Sequence, residues 1–149
     1  MDDYPKWIKQ QIPQCFSFAY TLIPDELQSQ QLVIDSYEAT LLDRVSFEGN
    51  EKEQIQLELL KRIYELAERR SYQLEGQVFS AESISPKNEI YYSSLGIKQR
   101  AVLFLYHKAQ RSLDDIAVIL KLKRFEAIEF LHSSRNGLRL ALEKGNVNL

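Results

Sequence analysis

The chain has 149 residues, of which 44% are apolar and 27% charged, and these values suit one folded domain or two small ones. Only five Gly and four Pro are present, which disfavours a turn-rich β fold, and the longest nearly apolar stretches, residues 15–23 and 101–106, are too short to cross a bilayer. The acidic start does not fit a signal peptide and Cys15 has no partner for an internal disulfide, so we expect a cytoplasmic protein.

The formal net charge of −2 is unevenly distributed along the chain. From Gly96 onward there are ten Lys or Arg and five acidic residues, so this part carries about +5 and the rest carries about −7. A basic part beside an acidic one suggests a polyanion as partner of the former and a basic protein surface as partner of the latter. The alternative is a solvated surface whose charge is merely uneven.

Helical periodicity dominates the first half of the chain. A short amphipathic segment begins at Trp7 and closes near Pro13, and residues 16–23 form a compact apolar helix. A second helix starts at Pro24 and is expected to bury one broad side, formed by Leu27, Leu32, Val33, Tyr37, Leu41 and Leu42. After a polar break at residues 48–51, a third helix supplies a buried face from Ile55, Leu57, Leu59, Leu60, Ile63, Leu66 and Ala67.

The periodic pattern stops between Gly76 and Ser94, where turn-forming residues predict a linker. Three further helices follow, at about 97–109, 113–120 and 124–144. The sequence therefore predicts an all-α fold of two small helical domains, residues 1–75 and 95–149, joined by a linker at 76–94.

The last two helices have the spacing of a helix-turn-helix. Ser112 and Asp115 form a capping-box-like start, and residues 121–123 make a tight turn. The final helix has one continuous stripe of apolar or small residues, at Ala127, Leu131, Ser134, Leu138 and Leu142. Two helices joined by such a turn and braced by a third form a DNA-reading unit.

Three segments of this unit resemble region 4 of the extracytoplasmic-function sigma factors. They are LGIKQRAVLFL at 95–105, SLDDIAVIL at 112–120 and LHSSRNGL at 131–138, where the family has LPxxxRxVLxL, SxxEIAxxL and RLxRARxxL. The match covers about 48 residues. More weakly, residues 18–20, 24–25 and 32–37 resemble the start of region 2, where the family has DLVQETF.

The resemblance implies a transcription regulator that binds the RNA polymerase core and promoter DNA. It places the polymerase contact on Gln31, Asp35 and Tyr37. It places the DNA contact on the last helix and the turn before it, with the candidate residues Lys121, Lys123, Arg124, Glu129, His132, Arg135 and Arg139.

The recognition helix departs from the family pattern, which favours Lys, Arg and small hydroxyls near phosphates and base edges. Phe125, Glu126 and Glu129 stand at such positions here. An alternative is therefore a degenerate sigma-like interaction protein that binds an anti-sigma factor or another protein and has little affinity for DNA. Ile128 and Phe130 would then belong to its partner-binding surface, or would merely widen the packed face.

The sequence contains no recognisable catalytic or metal-binding pattern. His107 and His132 have no ligand at metal-binding spacing, Cys15 lies in an apolar helix and is expected in the core, and no glycine-rich phosphate loop is present. We expect no enzymatic activity, no cofactor, no metal, no small-molecule substrate and no membrane partner.

Overall fold

The computed structural model describes residues 10–42, 52–74 and 96–147. The chain divides into two compact units, Met1–Tyr72 and Gln73–Leu149. Every regular element in the described ranges is helical, which confirms the predicted all-α fold. The predicted linker at 76–94, the segment around Trp7 and the polar break at 48–51 lie outside these ranges. None of the described helices combines the length and the apolarity needed to cross a membrane.

The first helix of the N-terminal unit, α1, spans Ile12–Leu22. The apolar helix expected at residues 16–23 begins earlier, at Ile12, and Pro13 lies in its first turn. A proline is tolerated there since the first amides of a helix have no intrahelical acceptor. Cys15, Phe18, Ala19 and Leu22 are buried along one side, as the apolar pattern predicted. Burial raises the pKa of the Cys15 thiol to about 12, which fits a core residue.

The second helix, α2, spans Glu26–Leu42 and packs against α1. Its N-terminus is capped by Asp25, whose Oδ1 accepts a hydrogen bond from the Gln28 amide at 2.9 Å.

The buried face of α2 differs from the predicted one. Leu27 and Leu42 are exposed, whereas the residues at the core side are Ser29, Leu32, Val33, Ser36 and Thr40. Two of these hydroxyls bond to their own helix, since Ser29 Oγ donates to the Glu26 carbonyl at 3.0 Å and Thr40 Oγ1 to the Ser36 carbonyl at 2.8 Å. A helix can therefore bury these polar side chains at little cost.

The third helix, α3, spans Lys52–Leu74 and supplies the rest of this core. Most of its predicted face is buried, whereas Leu57 and Leu66 are half-buried. A polar contact ties it to α1, because Gln56 Nε2 donates to Gln11 Oε1 at 2.6 Å and to Gln14 Oε1 at 3.0 Å. The fully buried residues of α3 are Ile55, Leu59, Leu60, Ile63 and Ala67.

The C-terminal unit contains α4 (Ile97–Leu103), which runs directly into a π-helical turn at Phe104–Lys108. It is followed by α5 (Leu113–Leu120) and α6 (Arg124–Val147). Both α4 and α5 pack against α6, and their apolar side chains form the core with Ala127 and Leu131. The predicted stripe of α6 is buried as far as Ser134, half-buried at Leu138 and 39% exposed at Leu142.

Two serines on the buried face of α2 give a matched test of its packing. Ser36 Oγ is buried and has no hydrogen-bond partner, whereas Ser29 Oγ has one. We expect Ser36→Ala to leave the free energy of unfolding unchanged or raise it, and Ser29→Ala to lower it by about 1 kcal/mol, because only the second change removes a hydrogen bond. Urea denaturation of both variants measures this, and equal losses would contradict the described packing.

Candidate interaction surfaces

The turn between α5 and α6 is built from a left-handed residue and two helix caps. Lys121 ends α5 with φ 57° and ψ 46°, and the Leu122 amide donates to the Ala117 carbonyl at 2.8 Å. This is the hydrogen-bonding pattern of a Schellman ending, and it reverses the chain within three residues. At the other end of α5, Ser112 Oγ accepts from the Asp115 amide at 3.1 Å, as the sequence predicted.

The first turn of α6 uses its acidic residue for capping. The Lys123 amide donates to Glu126 Oε1 at 2.9 Å, so this carboxylate is directed at the backbone of its own helix. Arg124 Nε lies 3.4 Å from Asp114 Oδ1, and both side chains are largely exposed. A predicted DNA-binding arginine thus has an acidic neighbour within the same unit, although an exposed pair of this kind is weak.

Arg135, another predicted DNA-binding residue, is held by two aromatic side chains of the π turn. Its Nε donates to His107 Nε2 at 3.2 Å, and its guanidinium carbon lies 4.8 Å from the centre of the Tyr106 ring. Burial and the charge of Arg135 both lower the pKa of His107. The neutral imidazole can accept this hydrogen bond, whereas the protonated one cannot.

Arg139 is also engaged along its own helix. Its Nη2 donates to Asn136 Oδ1 at 3.0 Å, and its Nε lies 3.9 Å from Glu143 Oε1. All three predicted DNA-binding arginines of α6 therefore have partners inside the C-terminal unit. The other predicted DNA-binding residues, Lys121, Lys123, Glu129 and His132, are exposed.

The solvent-facing side of α6, here called the α6 face, is formed by residues three or four positions apart. All of its members are exposed: Phe125, Glu129, His132, Asn136 and Leu140. Phe125 is 58% exposed and Leu140 is 47% exposed. The five residues of the α6 face include no Lys or Arg, although the exposed Arg139 lies beside them. The ends of the face, Phe125 and Leu140, are apolar, and its middle is polar with one acid, Glu129.

Ile128 and Phe130, the predicted partner-binding residues of this helix, lie beside the α6 face and not at its centre. Both are half-buried, in contrast to Phe125.

Asp35, the carboxylate of the predicted polymerase contact on α2, is hydrogen-bonded to a residue of α3. Arg70 Nη2 donates to Asp35 Oδ2, and Gln31 Nε2 donates to Asp35 Oδ1 at 2.9 Å. The hydrogen bond from Arg70 lowers the pKa of Asp35, burial partly opposes this change, and the bond from Gln31 adds to it. Tyr37 is half-buried. The carboxylate expected to contact a partner thus links two helices of its own unit.

Sequence reasoning missed the internal partners of these predicted residues. Tyr106 and His107 contact Arg135 from a π turn, and helical periodicity in a sequence does not predict such a turn. Arg70 follows Asp35 by 35 positions, a separation at which only the tertiary fold brings two residues together. For the exposure of Phe125, the signal in the sequence is its position in the first turn of α6, away from the buried stripe.

The described residues contain no group of three or more His, Cys, Asp or Glu that could hold a metal ion.

Comparison with known proteins assigns the chain a fold of the sigma-factor type. No family model matches the chain, and no curated protein matches it in sequence. Among solved structures, the chain is similar to the sigma factor RpoE in its co-crystal structure with the anti-sigma factor NepR from Bartonella quintana. The TM-score is 0.74 at 18% identity, over 96% of this chain and 98% of that chain. The resemblance to a divergent sigma factor is thereby confirmed for the fold.

The bond between Arg70 and Asp35 predicts a pH-dependent contribution to stability. Because the pKa of Asp35 is lowered in the folded protein, the contribution is present above the ordinary value near 3.9 and is lost as the pH falls through the folded value. We expect Asp35→Asn to lower the free energy of unfolding at pH 7 by up to about 1 kcal/mol, since the pair is partly exposed. The difference from the parent protein should shrink below about pH 4.

Urea denaturation at several pH values measures this difference. Glu129→Gln, which removes the same charge from an exposed position, is the control. A difference between parent and Asp35→Asn that persists unchanged at low pH would contradict the role of the ion pair.

The contact between Arg135 and His107 predicts a change in the titration of His107. We expect Arg135→Gln to raise the pKa of His107 toward its ordinary value, because the variant removes a nearby positive charge and part of the cover over the ring. The imidazole NMR signals recorded against pH report this value. Arg124→Gln, which removes an arginine paired elsewhere, should leave the titration unchanged, and an equal shift in both variants would refute the contact.

Proposed function

We propose that this chain is a non-enzymatic, sigma-like regulator of transcription that acts through protein binding, with a partner of the anti-sigma kind. The observation behind this proposal is the α6 face. A helix that enters a DNA groove is expected to present Lys, Arg or neutral hydrogen-bonding groups there, because the phosphates repel acids and attract cations. On the α6 face, His132 and Asn136 are the neutral hydrogen-bonding groups, and the other three members are Phe125, Leu140 and the acidic Glu129.

The engagement of the flanking arginines supports the same proposal. Arg124, Arg135 and Arg139 each have a partner in their own unit, so binding phosphate would require these contacts to be broken or shared. A large exposed aromatic side chain is, by contrast, a frequent anchor in protein interfaces. The solved neighbour of this fold supports the class of partner, since that sigma factor was crystallised with an anti-sigma factor.

A second candidate function is that of a working sigma factor that binds the RNA polymerase core and promoter DNA. Lys121 and Lys123 favour it, because both are exposed on the turn that leads into α6. The charge of about +5 after Gly96 would also attract a polyanion. In this case the lysines would hold phosphates while the α6 face contributed little sequence reading.

Matched variants separate the two functions. We expect Phe125→Asp to weaken binding of the anti-sigma protein from the same host about tenfold or more, because it places a charge in an apolar contact. The double variant Lys121→Gln, Lys123→Gln should leave that affinity unchanged within about twofold. Titration calorimetry of the purified proteins measures both, and circular dichroism checks that the variants are folded.

The same variants are tested on RNA polymerase core and on promoter DNA at several salt concentrations. Salt-sensitive DNA binding that the lysine pair abolishes and Phe125→Asp leaves intact would replace the proposed function by the second candidate. Absence of any binding to the anti-sigma protein would also refute the proposed function.

A further inference from the structure

The α6 face is symmetric in sequence about the midpoint of residues 132 and 133. Glu129 lies three positions before residue 132 and Asn136 lies three positions after residue 133, whereas Phe125 and Leu140 lie seven positions away on either side. All four side chains are exposed. When two copies of such a helix meet in antiparallel orientation about a two-fold axis at this midpoint, each residue faces the one at the mirrored position of the other copy.

The residues that this symmetry brings together are chemically matched. Phe125 of one copy faces Leu140 of the second copy, so the two exposed apolar ends of the face cover each other. Glu129 faces Asn136, whose amide nitrogen can donate a hydrogen bond to the carboxylate. Because Asn136 Oδ1 already accepts from Arg139 Nη2 at 3.0 Å, the NH₂ group is the part of this side chain that can serve a second copy.

Arg139 adds a complementary charge to the contact. Its side chain is largely exposed, and it follows Asn136 by three positions on the same side of α6. In the antiparallel pair it therefore lies beside Glu129 of the second copy. Within one chain these two charged residues are ten positions apart. That separation is about 15 Å along the helix axis, so their charges can meet only between copies.

We propose that the protein self-associates through the α6 face as an antiparallel two-fold pair. In this pair Phe125 packs against Leu140 of the second copy, and Glu129 contacts Asn136 and Arg139 of the second copy. The inference goes beyond the proposed function, because a second copy is a different occupant of the same face, and it covers Phe125, the residue on which that function depends.

Two other arrangements of the same face fit less well. In a parallel symmetric pair each residue faces its own counterpart, so Glu129 meets Glu129 and like charges oppose the contact. A head-to-tail contact joins two different surfaces, so each matched pair forms once at most. The antiparallel pair forms every matched contact twice.

The size of the contact determines its strength. A single pair of helices covers less area than a standard protein interface, which buries about 1,600 Å² in total. We therefore expect a weak dimer, with a Kd on the order of 10 μM.

Exchange of charge between positions 129 and 139 tests the pairing on the full chain. Glu129→Arg places two cations opposite each other in the pair, and Arg139→Glu places two carboxylates opposite each other. We expect each variant alone to self-associate at least about tenfold more weakly than the parent protein. An equimolar mixture of the two variants should dimerise about as tightly as the parent, because opposite charges then face each other at both positions. Sedimentation velocity from about 1 to 300 μM measures all of these samples.

Two further variants locate the contact. Phe125→Gln should weaken the dimer about fivefold or more, because it removes an apolar contact that forms twice. Leu27→Gln, which changes a more exposed aliphatic residue of the N-terminal unit, is the control and should leave the dimer unchanged. Circular dichroism checks that the variants are folded, as expected for changes at exposed positions.

The results that overturn the inference are separable from those that bear on the proposed function. A chain that stays monomeric up to about 300 μM, a dimer that neither charge variant weakens, or a mixture of the two variants that stays monomeric would each overturn the inference. These measurements contain no anti-sigma protein, so the proposed function stands in each case. If the chain dimerises as described and the anti-sigma protein fails to bind it, the proposed function fails and the inference stands.

Discussion

Short hydroxyl side chains on the inner side of α2 determine how the N-terminal unit is assembled. Ser29 and Thr40 satisfy their own hydrogen bonds within the helix, so their hydroxyls need no polar partner from neighbouring helices, and only the Ser36 hydroxyl on this side is buried without one. With Leu32 and Val33 completing the inner side, Leu27 and Ile34 remain on the outside. The exposure of these two aliphatic side chains is therefore a result of the way in which the helix is packed.

In the C-terminal unit, the corresponding constraint is that the arginine side chains of α6 are paired with residues of the same unit. Asp114, His107 and Glu143 lie at or near the arginines of α6, and Glu126 caps the same helix. A positive net charge summed over the sequence thus overstates the cationic surface available to a polyanion. The fold is of the sigma type, as in the solved neighbour, whereas the charge that the surface presents depends on these internal contacts.

The sequence predicted where helices with local capping and turn signals begin and end. It predicted less well which side of each helix is buried. The Ser112 cap and the tight turn defined α5 at Leu113–Leu120, because capping and turn chemistry act over a few residues. The buried side of α2 was not predictable from periodicity, since aliphatic residues occur on both of its sides. For the candidate site, exposure of Lys121, Lys123, Glu129 and His132 followed the helical pattern. The partners of Asp35 and Arg135 did not, because one pair is a tertiary contact and the other depends on a π turn.

Cys15, the single cysteine of the sequence, has a practical consequence for work on this molecule. Its thiol is buried and has a pKa of about 12, so almost none of it is the reactive thiolate at neutral pH. A new cysteine placed on the surface of either unit would then take up a maleimide dye selectively, without removal of the native one. Pairs of such dyes, one on each unit, would report the separation of the units in solution by energy transfer, with and without a bound protein.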